Sequence, residues 1–69
     1  MNSEQVRHTL VRIEREYLEL PGLSLTEAQA RKLWGLPPEL CAAALGELVR
    51  HQFLIETPSG TFQRRTTHQ

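Results

Sequence analysis

LTEAQARKLWGLPP, residues 25–38, is the stretch that decides how this chain folds. Thr26 and Gln29 have the spacing of a capping box, in which each side chain bonds the backbone amide of the other residue. A helix is therefore predicted to begin at Glu27 and to end at Gly35, because glycine readily takes the left-handed conformation that stops a helix. The apolar face of this helix is predicted to consist of Ala30, Leu33 and Trp34.

Another helix is predicted to follow after a short turn. Pro38 suits its first turn, where the amide that proline lacks has no partner in any helix. The apolar spacing predicts a helix that reaches about His51, with a buried face made of Cys41, Leu45, Leu48 and Val49. Two helices joined by about three or four residues that include a glycine have the spacing of a helix-turn-helix.

The N-terminal segment is predicted to be a long amphipathic helix from about Ser3 to Leu20, ended by Pro21-Gly22. Its apolar stripe consists of Val6, Leu10, Ile13, Tyr17 and Leu20, and is widened by Val11 and Leu18. A stripe this wide on so small a chain has room to bury one flank in its own domain and the other in a second copy. We therefore expect a homodimer through this first helix.

Short strands are predicted on either side of the two central helices. Residues 23–25 alternate as an edge strand does, and the apolar period changes from 3.6 to 2 after the third helix. Residues 53–57 and 61–65 are predicted to pair as a hairpin around Pro58-Ser59-Gly60. Gly60 is expected to take the left-handed position that closes such a loop.

The order helix, strand, helix, tight turn, helix, hairpin resembles that of winged helix-turn-helix domains. Leu25–Ala30 resembles the opening of their second helix. Cys41–Leu48, followed by Val49 and Phe53-Leu54, resembles their third helix and its passage into the hairpin, which is called the wing. The resemblance covers residues 23–65 and implies a mainly α fold: three helices with a small hairpin, the wing, of two or three strands.

Domains of this kind usually place the third helix in the major groove of double-stranded DNA and touch phosphate or the minor groove with the wing. The resemblance therefore implies a small DNA-binding transcriptional regulator that acts as a dimer. The candidate DNA-binding residues are Thr26, Arg31, Lys32, Glu39, Ala43, Glu47, Arg50, Ser59, Arg64 and Arg65.

The outward face of the third helix is poorly suited to reading bases. A helical wheel places Glu39, Leu40, Ala43, Gly46, Glu47 and Arg50 on this face. Bases are read mainly by Arg, Lys, Asn and Gln, and Arg50 is the one such residue on the face. Contact is therefore expected with the DNA backbone, from the second helix and from the wing arginines. The alternative is a winged-helix module that binds another protein, because Leu40, Ala42, Ala43 and Gly46 form a small, apolar surface on the third helix.

Composition narrows the other possibilities. Eight Lys and Arg residues balance eight Glu residues, so the overall charge gives no support to nucleic-acid binding. Trp34 and the single cysteine, Cys41, are expected in the core. The three histidines lack the spacing of metal ligands, and no catalytic constellation can be assembled, so neither a metal, a cofactor nor an enzyme is expected. No signal peptide or membrane span is visible, which predicts a cytoplasmic protein, and the short Arg- and Leu-rich chain suits a bacterium.

The expected domain organisation is simple. Sixty-nine residues leave room for one core only. We expect a single domain over residues 1–65 and a flexible tail over residues 66–69.

Overall fold

The computed structural model describes residues 2–65 and contains the predicted helices and strands in the predicted order. The expected tail, residues 66–69, lies outside the described residues. The elements are α1 (Ser3–Glu19), β1 (Ser24–Thr26), α2 (Glu27–Trp34), α3 (Pro38–Arg50), β2 (Leu54–Glu56) and β3 (Thr61–Arg64). Three helices and a three-stranded antiparallel sheet therefore confirm the mainly helical layout with a small hairpin.

Local signals set the start of α1 and both ends of α2, and those of α2 are the predicted ones. The Asn2 side chain accepts a hydrogen bond from the Gln5 amide (2.7 Å) and caps α1. Both bonds of the capping box are present at the start of α2: the Gln29 amide donates to the Thr26 hydroxyl (3.1 Å), and the Thr26 amide donates to the Gln29 side chain (2.9 Å). Gly35 ends α2 with a left-handed φ of 64°.

The sheet has the strand order β1-β3-β2, so the last strand lies in the middle. Leu25 of β1 pairs with Phe62 of β3, while Leu54 of β2 pairs with Arg64. The Gly60 amide donates to the Thr57 carbonyl (2.9 Å), and Gly60 has a φ of 90°, as predicted for the loop of the hairpin. The sheet thus joins the segment before α2 to the segment after α3.

The core lies where α1, α3 and the sheet meet. Its fully buried side chains include Tyr17, Ile13, Leu45, Leu54 and Cys41. The Tyr17 hydroxyl donates to the Phe62 carbonyl (2.7 Å), and its ring meets the Trp34 ring edge-on with 6.3 Å between the centroids. Trp34 and Cys41 are therefore core residues, as the sequence predicted.

Two leucines that were expected to be buried in the domain, Leu33 and Leu20, are exposed. Leu33 is 59% exposed, because the two-turn helix α2 packs through Ala30 and Trp34, and Leu33 lies a quarter-turn away from Trp34. Leu20 is 53% exposed and follows the last residue of α1. Val11 and Leu18 are also exposed, so the apolar stripe of α1 is buried in this domain along one flank only.

An unpredicted left-handed residue ends α3. Gln52 has a φ of 66°, the Gln52 amide donates to the Val49 carbonyl (3.0 Å), and the Phe53 amide donates to the Leu48 carbonyl (2.9 Å). This pair of bonds is a Schellman motif, in which the left-handed position is usually glycine. Because Phe53 still belongs to this turn, β2 begins at Leu54 and not at Phe53.

Burial of Tyr17 predicts a loss of stability at high pH. Burial, with a smaller contribution from Cys41, raises the pKa of the Tyr17 phenol from 10.0 to about 12. Since the folded pKa is above the unfolded one, the contribution of Tyr17 is complete below pH 10 and declines as the pH rises from about 10 towards 12. Tyr17 is the only tyrosine, so ultraviolet absorbance reports its ionisation directly. A phenolate that forms near pH 10 while the circular dichroism stays native would contradict this.

Replacement of Gln52 by glycine is expected to raise the free energy of unfolding by about 1 kcal/mol, because a side chain is disfavoured in the left-handed conformation. Urea denaturation measures the change. Gly35→Ala is the matched control, and at a φ of 64° it should lower the free energy of unfolding by about the same amount. A destabilised Gln52→Gly variant would show that the glutamine side chain itself supports the turn.

Candidate nucleic-acid interface

α2 and α3 are held in place by short connections. Residues 35–37 join them, and Pro37 precedes the first turn of α3 without a side-chain cap. The Cys41 thiol lies 3.8 Å from the Glu27 carbonyl, so the start of α2 is fixed against the first turns of α3. Thr61, the first residue of β3, pairs with Thr26. The start of α2, the start of α3 and the loop end of the hairpin therefore meet at one end of the domain.

The exposed face of α3 differs from the predicted one at Leu40. This side chain is only 6% exposed, whereas the helical wheel placed it outward. Leu40 belongs to the buried stripe because the first turn of α3 lies beside the start of α1. One recess between them is bordered by Gln5, Pro37, Glu39 and Leu40. The exposed face consists of Glu39, Ala42, Gly46 and Arg50, flanked by the half-buried Ala43 and Glu47.

Glu47 binds the two basic groups at the end of α3. Its carboxylate pairs with the Arg50 guanidinium, and its Oε1 lies 3.2 Å from Nε2 of His51. The hydrogen bond from Arg50 lowers the pKa of the Glu47 carboxyl. The positive charge of Arg50 and the contact with His51 lower this pKa further. Because its charge is already paired, Arg50 adds little positive potential to a face that also carries Glu39.

The candidate groups of α2 differ in their availability. The Thr26 hydroxyl is occupied by the capping box. Arg31 is half-buried, and its Nε atom is buried without a hydrogen-bond partner. Lys32 is exposed and borders a shallow surface groove together with Leu25, Gln29 and Leu33. Lys32 is therefore the cation of α2 that a ligand in solution can reach.

The hairpin carries its cations at the end away from its loop. The guanidinium of Arg64 lies over the Phe53 ring, 4.4 Å from the centroid, whereas Arg65 is exposed. The two arginines are thus separated, because successive side chains along an extended segment point to opposite faces. Ser59 at the loop is exposed, and its hydroxyl lies 2.9 Å from that of Thr57. A ligand at the loop meets hydroxyl groups, and one at the base meets Arg65.

Charge is therefore divided between the two ends of the described domain. Glu27, Glu39 and Glu56 belong to the end where α2, α3 and the hairpin loop meet. Arg50 and Arg65 belong to the opposite end, beside the end of α3. Glu27 and Glu56 were not among the residues predicted to lie at the site. Both stand at element boundaries, and this is the signal in the sequence that could have placed them. The ten candidate residues do not form one continuous basic surface.

Other kinds of site find little support in the described residues. Within residues 2–65, no three His, Cys, Asp or Glu side chains are grouped closely enough to bind a metal ion. Burial, and next the charge of Glu27, raises the pKa of the Cys41 thiol, which disfavours the reactive thiolate. None of the helices in this part of the chain has the length and apolar character needed to cross a lipid bilayer.

Comparison with known proteins adds no relative. No protein-family model matches the chain, and neither a curated protein nor a solved structure matches it.

Gly46 on the exposed face of α3 predicts a gain of stability on substitution. A Cβ atom added at Gly46 meets nothing within 4 Å, so Gly46→Ala should raise the free energy of unfolding by about 0.5–1 kcal/mol. Ala42→Gly on the same face is the matched control and should lower it by a similar amount. Urea denaturation measures both. An unchanged or lower stability of Gly46→Ala would mean that the glycine serves the fold of the isolated domain.

Proposed function

We propose that this chain is a winged helix-turn-helix domain that acts as a small DNA-binding regulator. The observation that carries the proposal is the arrangement of elements. A short turn, residues 35–37, joins α2 to α3, and the hairpin that follows α3 pairs with a strand that precedes α2. This is the arrangement in which a second helix of the pair and a wing are presented to a duplex. The role is consistent with the cytoplasmic location that the sequence predicts.

The mode of contact that the charges favour is binding of the phosphate backbone. Lys32 and Arg65 are exposed cations, whereas Arg50 is paired with Glu47 and Arg64 is stacked on Phe53. Base reading by α3 is disfavoured, because its exposed face has two small residues between Glu39 and Arg50. The proposal is therefore weak, salt-dependent and sequence-tolerant binding by a single domain.

Binding of a labelled duplex of about 20 base pairs, followed by fluorescence anisotropy at about 50 mM salt, tests the proposal. Each phosphate contact contributes about 0.9 to the slope of log K against log salt, so Lys32→Ala and Arg65→Ala should each weaken binding by roughly tenfold and lower the slope by about one. Arg15→Gln at an exposed position of α1 removes the same charge elsewhere and should have little effect on binding by a single domain. No anisotropy change with wild-type protein would reject the proposal.

A second candidate function is a winged-helix module that binds another protein through α3. The exposed Ala42 and Gly46 favour it, because the centre of this face lacks charge and lets another surface approach closely. Ala42→Arg separates the two functions. An added cation on this face should strengthen DNA binding if α3 faces the duplex. If DNA binding is absent in both the wild type and the variant, the protein-binding function is the one that remains.

A further inference from the structure

α1 carries an apolar line on the side that faces away from its own core. Val11 is 44% exposed and Leu18 is 56% exposed, and Leu18 follows Val11 by seven positions, so they lie on one line along the helix. Ile13 and Tyr17, which are fully buried, lie on the other side of the helix. Val11 and Leu18 therefore offer an apolar line that a second helix can cover.

Charged residues border this line in a regular way. At 100° per residue, Arg7 and Glu14 lie on one flank of the line, and Glu4 and Arg15 lie on the other. Both ion pairs found within residues 2–65 are made by Glu47 of α3, so none of these four charges has an ionic partner in that part of the chain. Each flank therefore offers one positive and one negative charge to a partner.

We propose that α1 packs antiparallel against α1 of a second copy, with Val11 near the two-fold axis. In such a pair each flank faces the same flank of the other copy. Arg7 then lies opposite Glu14 of the second copy, and Arg15 lies within reach of Glu4 of the second copy. The two-fold axis repeats both pairs, so four ion pairs border the apolar line.

The orientation of the helix dipoles favours the antiparallel over the parallel arrangement. The two α1 macrodipoles oppose each other only when the helices are antiparallel, which is the favourable orientation. In a parallel pair each flank would face the opposite flank, so Arg7 would meet Glu4 and Glu14 would meet Arg15. The charges alone therefore do not distinguish the two arrangements, and the charge-reversal mixture described below does.

The expected dimer is weak. A 17-residue helix is about 25 Å long, and a contact along one such helix buries less surface than the roughly 800 Å² per partner of a standard interface. We therefore expect a dissociation constant on the order of 10 µM at low salt. This inference gives a definite geometry to the dimer expected from the sequence, and it does not depend on DNA binding.

Sedimentation velocity at about 0.5 mM protein in low salt, without DNA, tests the arrangement. Wild-type protein should be mainly dimeric. Arg7→Glu alone and Glu14→Arg alone should each be mainly monomeric, because like charges then meet across the axis. An equimolar mixture of the two variants should restore the dimer, because each charge again meets its opposite. Circular dichroism checks that both variants remain folded.

The controls separate this geometry from its alternatives. Glu19→Arg makes the same change of charge as Glu14→Arg at an exposed position of α1 away from both flanks, and it should leave the dimer intact. A parallel pair would not be restored by the mixture, because Glu4 and Arg15 would then face like charges. Wild-type protein that is monomeric at 0.5 mM, or a mixture that stays monomeric, overturns the proposal.

Discussion

The hydrogen bond from the Tyr17 hydroxyl to the Phe62 carbonyl joins the first helix to the central strand across 45 residues of sequence. Phe62 also pairs with Leu25, so one carbonyl group lies where α1, β1 and β3 meet. The Tyr17 ring contacts Trp34, which ends α2. A buried polar group must be paired to be tolerated, so this bond fixes how far α1 can slide along the sheet. The placement of α2 and α3 depends on that register.

Charge, in contrast to packing, is not arranged around a single surface. The pairing of Glu47 with Arg50 and the stacking of Arg64 on Phe53 both use cations within the domain. Among the candidate DNA-binding residues, Lys32 and Arg65 are the cations most accessible to a ligand, and they lie apart from each other. Under the proposed DNA-binding function, such a domain would gain binding strength from repetition, since two copies on one duplex would double the number of phosphate contacts and raise the local concentration of each domain.

The features that could be predicted from the sequence are those decided by a few adjacent residues. The capping box at Thr26, the helix end at Gly35 and the loop at Gly60 depend on backbone conformations that neighbouring side chains set. Leu40 and Leu33 could not be placed, because their burial depends on which neighbouring helix covers them. The stacking of Arg64 on Phe53 was equally hidden, since the position of the ring follows from the left-handed turn at Gln52, where glycine is the usual signal.

The capping box of α2 has a consequence for how the sheet ends. The Thr61 carbonyl is bonded to the Thr57 amide and the Arg65 amide to the Phe53 carbonyl, on the β2 side of the sheet. The amide and carbonyl of Phe62 therefore face β1, and those of its partner Leu25 face β3. The backbone amides and carbonyls of Ser24 and Thr26 face away from the sheet. The outward amide of Thr26 is taken by the Gln29 side chain, and its carbonyl begins α2. Ser24 alone keeps free backbone groups on this border. Pairing of a further strand with β1 is therefore limited to Ser24, and the residues that start a helix also protect this edge of the sheet from association.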